Sequence, residues 1–212
     1  MKNLRRIVLG AFLALISGMF VSCFSMKQSL SYEKGNYSYT VELAVDKMVL
    51  ALAEMDADTL FAQFDNELAK KGGISDENVK VEKIDTEKDA GFKISVVVNE
   101  NTEVESEKAV IPVKNGKKLE ILIFGGQAVD GTVDFNSDEG AQAREMLAES
   151  TWTYSVHKSV MKKVKKAAIV DEKNGKEFNC EVNKDGDNFV ITIPLTEILQ
   201  VGNSYSKLVI SK

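Results

Sequence analysis

The sequence predicts an α+β fold, with helices packed on an antiparallel β-sheet, built as one domain or as two small α+β subdomains. Three observations carry that expectation. Apolar residues recur at three- and four-residue spacing over 41–71. The texture then changes to period two over 79–124. A second pattern of helix followed by strands runs from about residue 138 to the C-terminus.

The first helical stretch places Val41, Val45, Met48, Val49, Leu52 and Met55 on one face. Asp56-Ala57-Asp58 interrupts it. Asp58 is the expected N-cap of a second segment, whose apolar stripe is Leu60, Phe61, Phe64 and Leu68. Lys70-Lys71 followed by Gly72-Gly73 suits a helix end, with cations at the negative pole and then glycine.

The strands follow. Val79-Lys80-Val81 opens the first, and Phe92, Ile94, Val96 and Val98 alternate along the second. Residues 99–107 are charged and expected to be exposed. Ala109–Val113 and Lys118–Phe124 flank Asn115-Gly116, a favoured hairpin turn because both central residues need positive φ. Pro112 marks its strand as an edge or irregular one. The Gly- and Asp-rich stretch 125–140 is the expected boundary between subdomains.

In the C-terminal part, Ser137 is placed as the cap of a helix from Asp138 to about Ser150. Trp152, Val156, Val160 and Val164 mark a further helix over 152–168, although Trp152, Tyr154 and Val156 also fit a strand. Strands at 176–182 and 188–193 are joined around Asp185-Gly186. A helical turn near 195–200 precedes a last strand at 205–210. The organisation is then a leader at 1–22, Cys23 and a flexible polar tether at 23–36, and α+β regions at 37–130 and 131–212.

The leader has its own logic. Lys2, Arg5 and Arg6 precede an uncharged run of about fifteen residues, Ile7 to Val21. A spanning helix needs roughly 20 apolar residues, so the run is short for that task. The sequence Phe20-Val21-Ser22-Cys23 resembles the lipobox of bacterial lipoprotein signal peptides, with Phe20 where Leu is usual. That resemblance implies cleavage before Cys23 and a diacylglyceryl thioether on its sulfur. Each buried methylene contributes about 0.8 kcal/mol, so two or three acyl chains hold a protein on a membrane without help from the polypeptide. Phe24 to Leu30 carries no acidic cluster, which favours an outer-membrane lipoprotein facing the periplasm.

Composition narrows the partners. The chain carries 27 Lys+Arg against 32 Asp+Glu; losing the three leader cations takes the net charge from −5 to −8. A nucleic-acid binder driven by bulk charge would be basic. With Cys23 acylated, Cys180 has no disulfide partner. It alternates with Phe178 and Val182, as an inward strand residue does.

Residues 45–124 are also similar in pattern to NTF2-like (cystatin-like) lipoprotein domains. An alanine-bearing helix, an acidic break and a second helix with paired Phe precede strands and a charged hairpin. That likeness implies a curled sheet around a small-ligand pocket. It has no invariant motif.

Catalytic groups are few. His157 is the one histidine, so any Ser-His-Asp or Cys-His scheme passes through it. It is placed on a helix surface. Asp134, Asn136 and Asp138, with Glu145 at the twelfth position, form a weak calcium-loop candidate; the glycine that should stand sixth is one residue late, at Gly140. Met161-Lys162-Lys163-Val164-Lys165-Lys166 reads as the solvated face of an amphipathic helix. No cofactor and no catalysis are expected. The expected function is a non-catalytic binding or assembly module of the cell envelope, with a protein partner or a small ligand. The alternatives are an NTF2-like pocket domain and, less favoured, a carboxylate-based hydrolase.

Cells fed an alkyne-bearing palmitate should label the wild-type protein and not Cys23→Ser. Equal labelling of the two would remove the lipid anchor.

Overall fold

Segments with period-two alternation dominate the chain, and in the computed structural model they pair into one extended β-structure. The structure describes residues 24–52, 54–70, 78–100, 113–115, 117–122, 141, 145, 148, 150–171, 175–201 and 206–212. In chain order the elements are β1 (Phe24–Glu33), β2 (Asn36–Asp46), α1 (Lys47–Leu52), α2 (Ala57–Lys70), β3 (Val79–Asp85) and β4 (Asp89–Asn99). They continue with β5 (Val113–Asn115), β6 (Lys118–Leu122), β7 (Thr151–His157), β8 (Lys166–Asp171), β9 (Lys176–Asp185), β10 (Asn188–Pro194), α3 (Leu195–Val201) and β11 (Ser206–Ser211).

The α+β expectation is therefore corrected. Among the described residues the fold is mostly β, with eleven strands in the order β3-β4-β2-β1-β7-β10-β9-β8-β11-β6-β5. Helices α1, α2 and α3 are short. The region expected to be a tether is strand β1 and the start of β2. The expected helix over 41–71 is strand to Asp46, then α1 and α2. The expected helix over 152–168 is strand β7, a connection, and the start of β8. The strands at 79–81, 92–98, 176–182 and 188–193, the turn of helix near 195 and the last strand stand as expected.

The reason is arithmetic. Val41 to Val45, and Trp152 to Val156, are four residues apart, which keeps one face in a helix and equally in a strand. The deciding residues lie between them. Tyr39, Val41, Leu43 and Val45 are all buried while their neighbours are not, and Trp152, Tyr154 and Val156 repeat the pattern. In β1, Met26, Gln28 and Leu30 point inward and Lys27 and Ser29 outward.

All neighbouring strands run antiparallel except β1 and β7, whose parallel ladder pairs Ser25–Leu30 with Thr151–Val156. A two-residue turn, Lys34-Gly35, joins β1 to β2 with φ of 49° and 83°. That geometry suits a hairpin whose twist matches its strands. Strand β9 is a corner. Its first half pairs with β8 and its second half with β10. One apolar face passes across the whole order. Ile94, Val41, Gln28, Tyr154, Ile191 and Val182 stand in register on it, as do Ile169, Leu208 and Ile121 beyond the corner. These apolar residues belong to one continuous core cluster.

Helix α2 covers the β4 side of that face. Phe64 stacks on Phe92 at 3.8 Å and Phe61 meets it edge-on at 5.5 Å. The cap of α2 is Asp56, not Asp58: its carboxylate accepts the Thr59 N–H at 2.8 Å, and hydrogen bonding first from the Thr59 side chain and then from that N–H holds the Asp56 carboxyl below its ordinary pKa. Just past α1, Glu54 lies in the left-handed region (φ 54°), and the Met55 N–H donates back to Leu50 O. Buried Ile198 seats α3 against the corner, and Met161 is buried in the β7–β8 connection. A β5–β6 hairpin forms near the expected place, but Asn115 is the last residue of β5 and pairs with Lys118 instead of forming the turn, and residues 109–112 of the expected first strand lie outside the described residues. Strand β6 pairs with β11, so it lies across the sheet from β3 and β4.

Among the described residues no helix is long and apolar enough to cross a membrane. The leader with Cys23, Pro112, the boundary 125–140 and the candidate ligands Asp134, Asn136 and Asp138 lie outside the described residues. So does most of the helix expected at 138–150, of which Ala141 and Glu145 are helical and exposed.

Gly91 has no room for a side chain. It stands opposite Ala44, and an added Cβ would lie 1.9 Å from the Leu43 carbonyl oxygen. Gly91→Ala should cost about 3 kcal/mol or more in urea unfolding, because the β2–β4 ladder must shift. Gly186→Ala, where an added Cβ meets nothing within 4 Å but φ is +55°, should cost only about 1–2 kcal/mol. Equal losses would show that the two strands are not held at this spacing.

Candidate functional site

Four buried polar side chains lie on the inner face of three adjacent strands. Gln28 comes from β1, Tyr39 from β2, and Trp152 and Tyr154 from β7. Register places Gln28 directly beside Tyr154, and Leu30, two residues on, beside Tyr39. Trp152 and Tyr154 meet edge-on at 6.0 Å. Gln28 Oε1, the Tyr39 and Tyr154 hydroxyls and Trp152 Nε1 are buried and find no hydrogen-bond partner among the described residues. Gln28 Nε2 reaches only the soft sulfur of Met26, at 3.7 Å. Around them the face is apolar: Leu30, Val41, Leu43, Val156, Ile191 and Ile193.

This arrangement is costly without an occupant. A buried donor or acceptor left unmade costs about 1–3 kcal/mol. The large majority of buried side-chain polar atoms in native proteins have a hydrogen-bond partner, so four without one call for an explanation. Burial pushes the Tyr39 phenol up, and it pushes the Tyr154 phenol well up, with the neighbouring Tyr39 adding to that. Both hydroxyls are therefore neutral, each able to donate and to accept. Trp152 Nε1 only donates and Gln28 Oε1 only accepts.

The other polar gathering lies at the end of the sheet where β1 finishes. His157 ends β7, which corrects its placement on a helix. Its Nδ1 lies 2.8 Å from Ser159 Oγ and accepts the Ser159 N–H at 3.2 Å. Ser159 Oγ accepts the Tyr32 N–H at 3.0 Å. Tyr32 donates its hydroxyl to Glu100 at 2.5 Å, and the carboxylate holds that phenol above its ordinary pKa. Asp187 pairs with Lys158 at 2.7 Å, which lowers its carboxyl pKa. A serine beside a histidine invites a nucleophile reading. Here the two are two residues apart in one turn, and both are tied to backbone N–H groups, so the contacts close the turn. This cluster fastens the β7–β8 connection to the β1–β2 hairpin.

The remaining candidates stay apart. Glu145 is exposed on its helix. Among the described residues no group of three His, Cys, Asp or Glu gathers as a metal site. Asp171 is the only Asp or Glu buried among them. Cys180 lies half-buried on β9, and burial pushes its thiol up to about 11. Lys162, Lys163, Lys165 and Lys166 are exposed along the β7–β8 connection and the start of β8 rather than on a helix, and Lys166 pairs with Glu177. Sequence reading missed the interior cluster, because Gln28 fell in the expected tether and Trp152 and Tyr154 in an expected helix. The signal that finds it is the alternation of Met26, Gln28 and Leu30.

Phenol titration should expose the two inner tyrosines. Their pKa values are raised in the folded chain above the ordinary value of about 10. Their contribution to stability is thus full below pH ~10 and is lost as pH rises further, since the unfolded chain gives up those protons first. Absorbance at 295 nm should show Tyr39 and Tyr154 silent until alkaline unfolding. Smooth titration of all five tyrosines before unfolding would mean that water reaches them.

Comparison with protein-family models, with curated proteins and with solved structures returns no match.

Proposed function

We propose that this chain is a cell-envelope lipoprotein, anchored through Cys23, and a non-catalytic binding module that holds a small ligand inside its sheet. The observation that supports it is the set of four buried polar atoms, on Gln28, Tyr39, Trp152 and Tyr154, that have no hydrogen-bond partner among the described residues. The ligand needs an acceptor for Trp152 Nε1 and a donor for Gln28 Oε1. A small hydroxylated or amide-bearing molecule with an apolar body meets both demands, since apolar side chains flank the polar ones. An assembly role finds less support. Among the described residues the exposed large hydrophobics are Met48 and Val97, which lie at separate places rather than in a patch.

Native mass spectrometry of the gently purified protein tests this reading beside two variants. The wild type should retain a small organic mass that Tyr39→Phe/Tyr154→Phe loses while staying folded. Tyr154→Phe alone should lower stability by about 1 kcal/mol in the loaded protein. With no bound mass and a gain in stability, the hydroxyl is only a desolvated burden and the ligand reading fails. With no bound mass and a loss, the cluster is a buried-water site, and the reading fails equally.

A further inference from the structure

Residue 24 is already sheet. Phe24 pairs with Val45, and the ladder continues without a break to Glu33 and Asn36. Cys23 is one residue earlier, so its Cα lies about 3.8 Å from that of Phe24. This leaves no chain to act as a spacer between the acylated residue and the fold. We infer that the anchored protein sits directly on the lipid surface, with the end of the sheet that carries Phe24, Asp46 and Met48 against the headgroups and the His157–Glu100 end turned away. The inference rests on acylation of Cys23 as proposed above.

Several observations fix which end is which. The start of β1, the end of β2, the start of β4 and the end of β3 share one end of the sheet, through Phe24↔Val45, Asp46↔Asp89 and Asp85↔Ala90. Met48 is at this end, directly after β2. It is 76 % exposed, the largest exposure of any large hydrophobic among the described residues. Its N–H is held by the Asp46 carboxylate at 2.8 Å, so its place is set by the ladder. An apolar side chain in water beside a lipid anchor is well placed to enter the interface. The cations at this end are tied: Lys47 bonds Asp85 and the Thr86 carbonyl, and Lys88 lies 3.9 Å from Asp46. With Glu87 and Asp89 also here, the end has no cationic excess for anionic lipid. The contact is thus set by the acyl chains and Met48, and suits neutral headgroups. At about 3.3 Å per residue, the ten residues of β1 carry the Glu33 turn roughly 30 Å from the surface.

The test uses the full acylated chain in phosphatidylethanolamine–phosphatidylcholine vesicles. Cys180→Ala removes the competing thiol, and a nitroxide is placed at Met48→Cys or Glu33→Cys. Both side chains are largely exposed, so neither substitution disturbs the core. Collision with membrane-soluble oxygen against a water-soluble nickel chelate is read by electron spin resonance. The oxygen-to-nickel ratio should be several-fold higher at 48 than at 33. A flexible insert of about ten Gly and Ser residues between Cys23 and Phe24 should erase the difference. Equal ratios in an acylated chain without the insert would overturn the orientation and leave the anchor standing. A chain whose mass shows no acyl group would overturn the anchor, and the orientation with it.

Discussion

The structure hangs on one ladder. Ser25–Leu30 of β1 and Thr151–Val156 of β7 form the parallel pairing that joins β3-β4-β2-β1 to the strands beyond it. Parallel neighbours cannot be closed by a tight turn, so the contact is made between segments far apart in the chain and bears the entropy of a long loop. What compensates is burial on one face. Met26, Gln28 and Leu30 meet Trp152, Tyr154 and Val156, all in register and all inward. A slip of one residue would turn Lys27 and Ser29 inward and send Leu30 to solvent. The polar alternation of β1 is what forbids that slip.

That alternation also explains how much could be read beforehand. Helix α2 was legible because Leu60, Phe61 and Phe64 have no strand-compatible explanation: adjacent Leu60 and Phe61 are both buried, which a single sheet face does not allow. The pairs β3–β4 and β9–β10 were legible because clear alternation flanks short turns. Strands β1, β2 and β7 were not. Ser, Lys and Gln between single apolar residues look like a solvated linker when the apolar inward positions are only Met26 and Leu30. Four-residue apolar spacing serves both periods. The Glu33-Lys34-Gly35-Asn36 turn was the overlooked sign, since Gly35 takes positive φ at no steric cost.

The interior cluster lay further out of reach. Its members come from three strands, and nothing local in the chain brings Tyr39 near Tyr154. Their proximity follows from β1 lying between β2 and β7, which is a fact of topology. Each residue alone is unremarkable. A buried Tyr or Trp usually finds a partner for its polar atom, and Gln is seldom buried at all. It is their coincidence on one apolar face that has meaning. An all-apolar set at these positions would pack as well and carry no desolvation cost.

Strand β1 links these features mechanically. Cys23 immediately precedes it, Gln28 stands at its middle, and the Lys34-Gly35 turn closes it. Along the strand, Gln28 is five residues from Cys23, or about 17 Å. A chain anchored at Cys23 would thus hold its inner polar cluster at a nearly fixed height, where a long polar tether would let it wander. A pull on the anchor along the strand would load the β1–β2 and β1–β7 ladders together, in shear. Their hydrogen bonds would then have to fail in concert rather than one at a time. The strand that organises the sheet would therefore also be the part best able to bear load from a lipid anchor at Cys23.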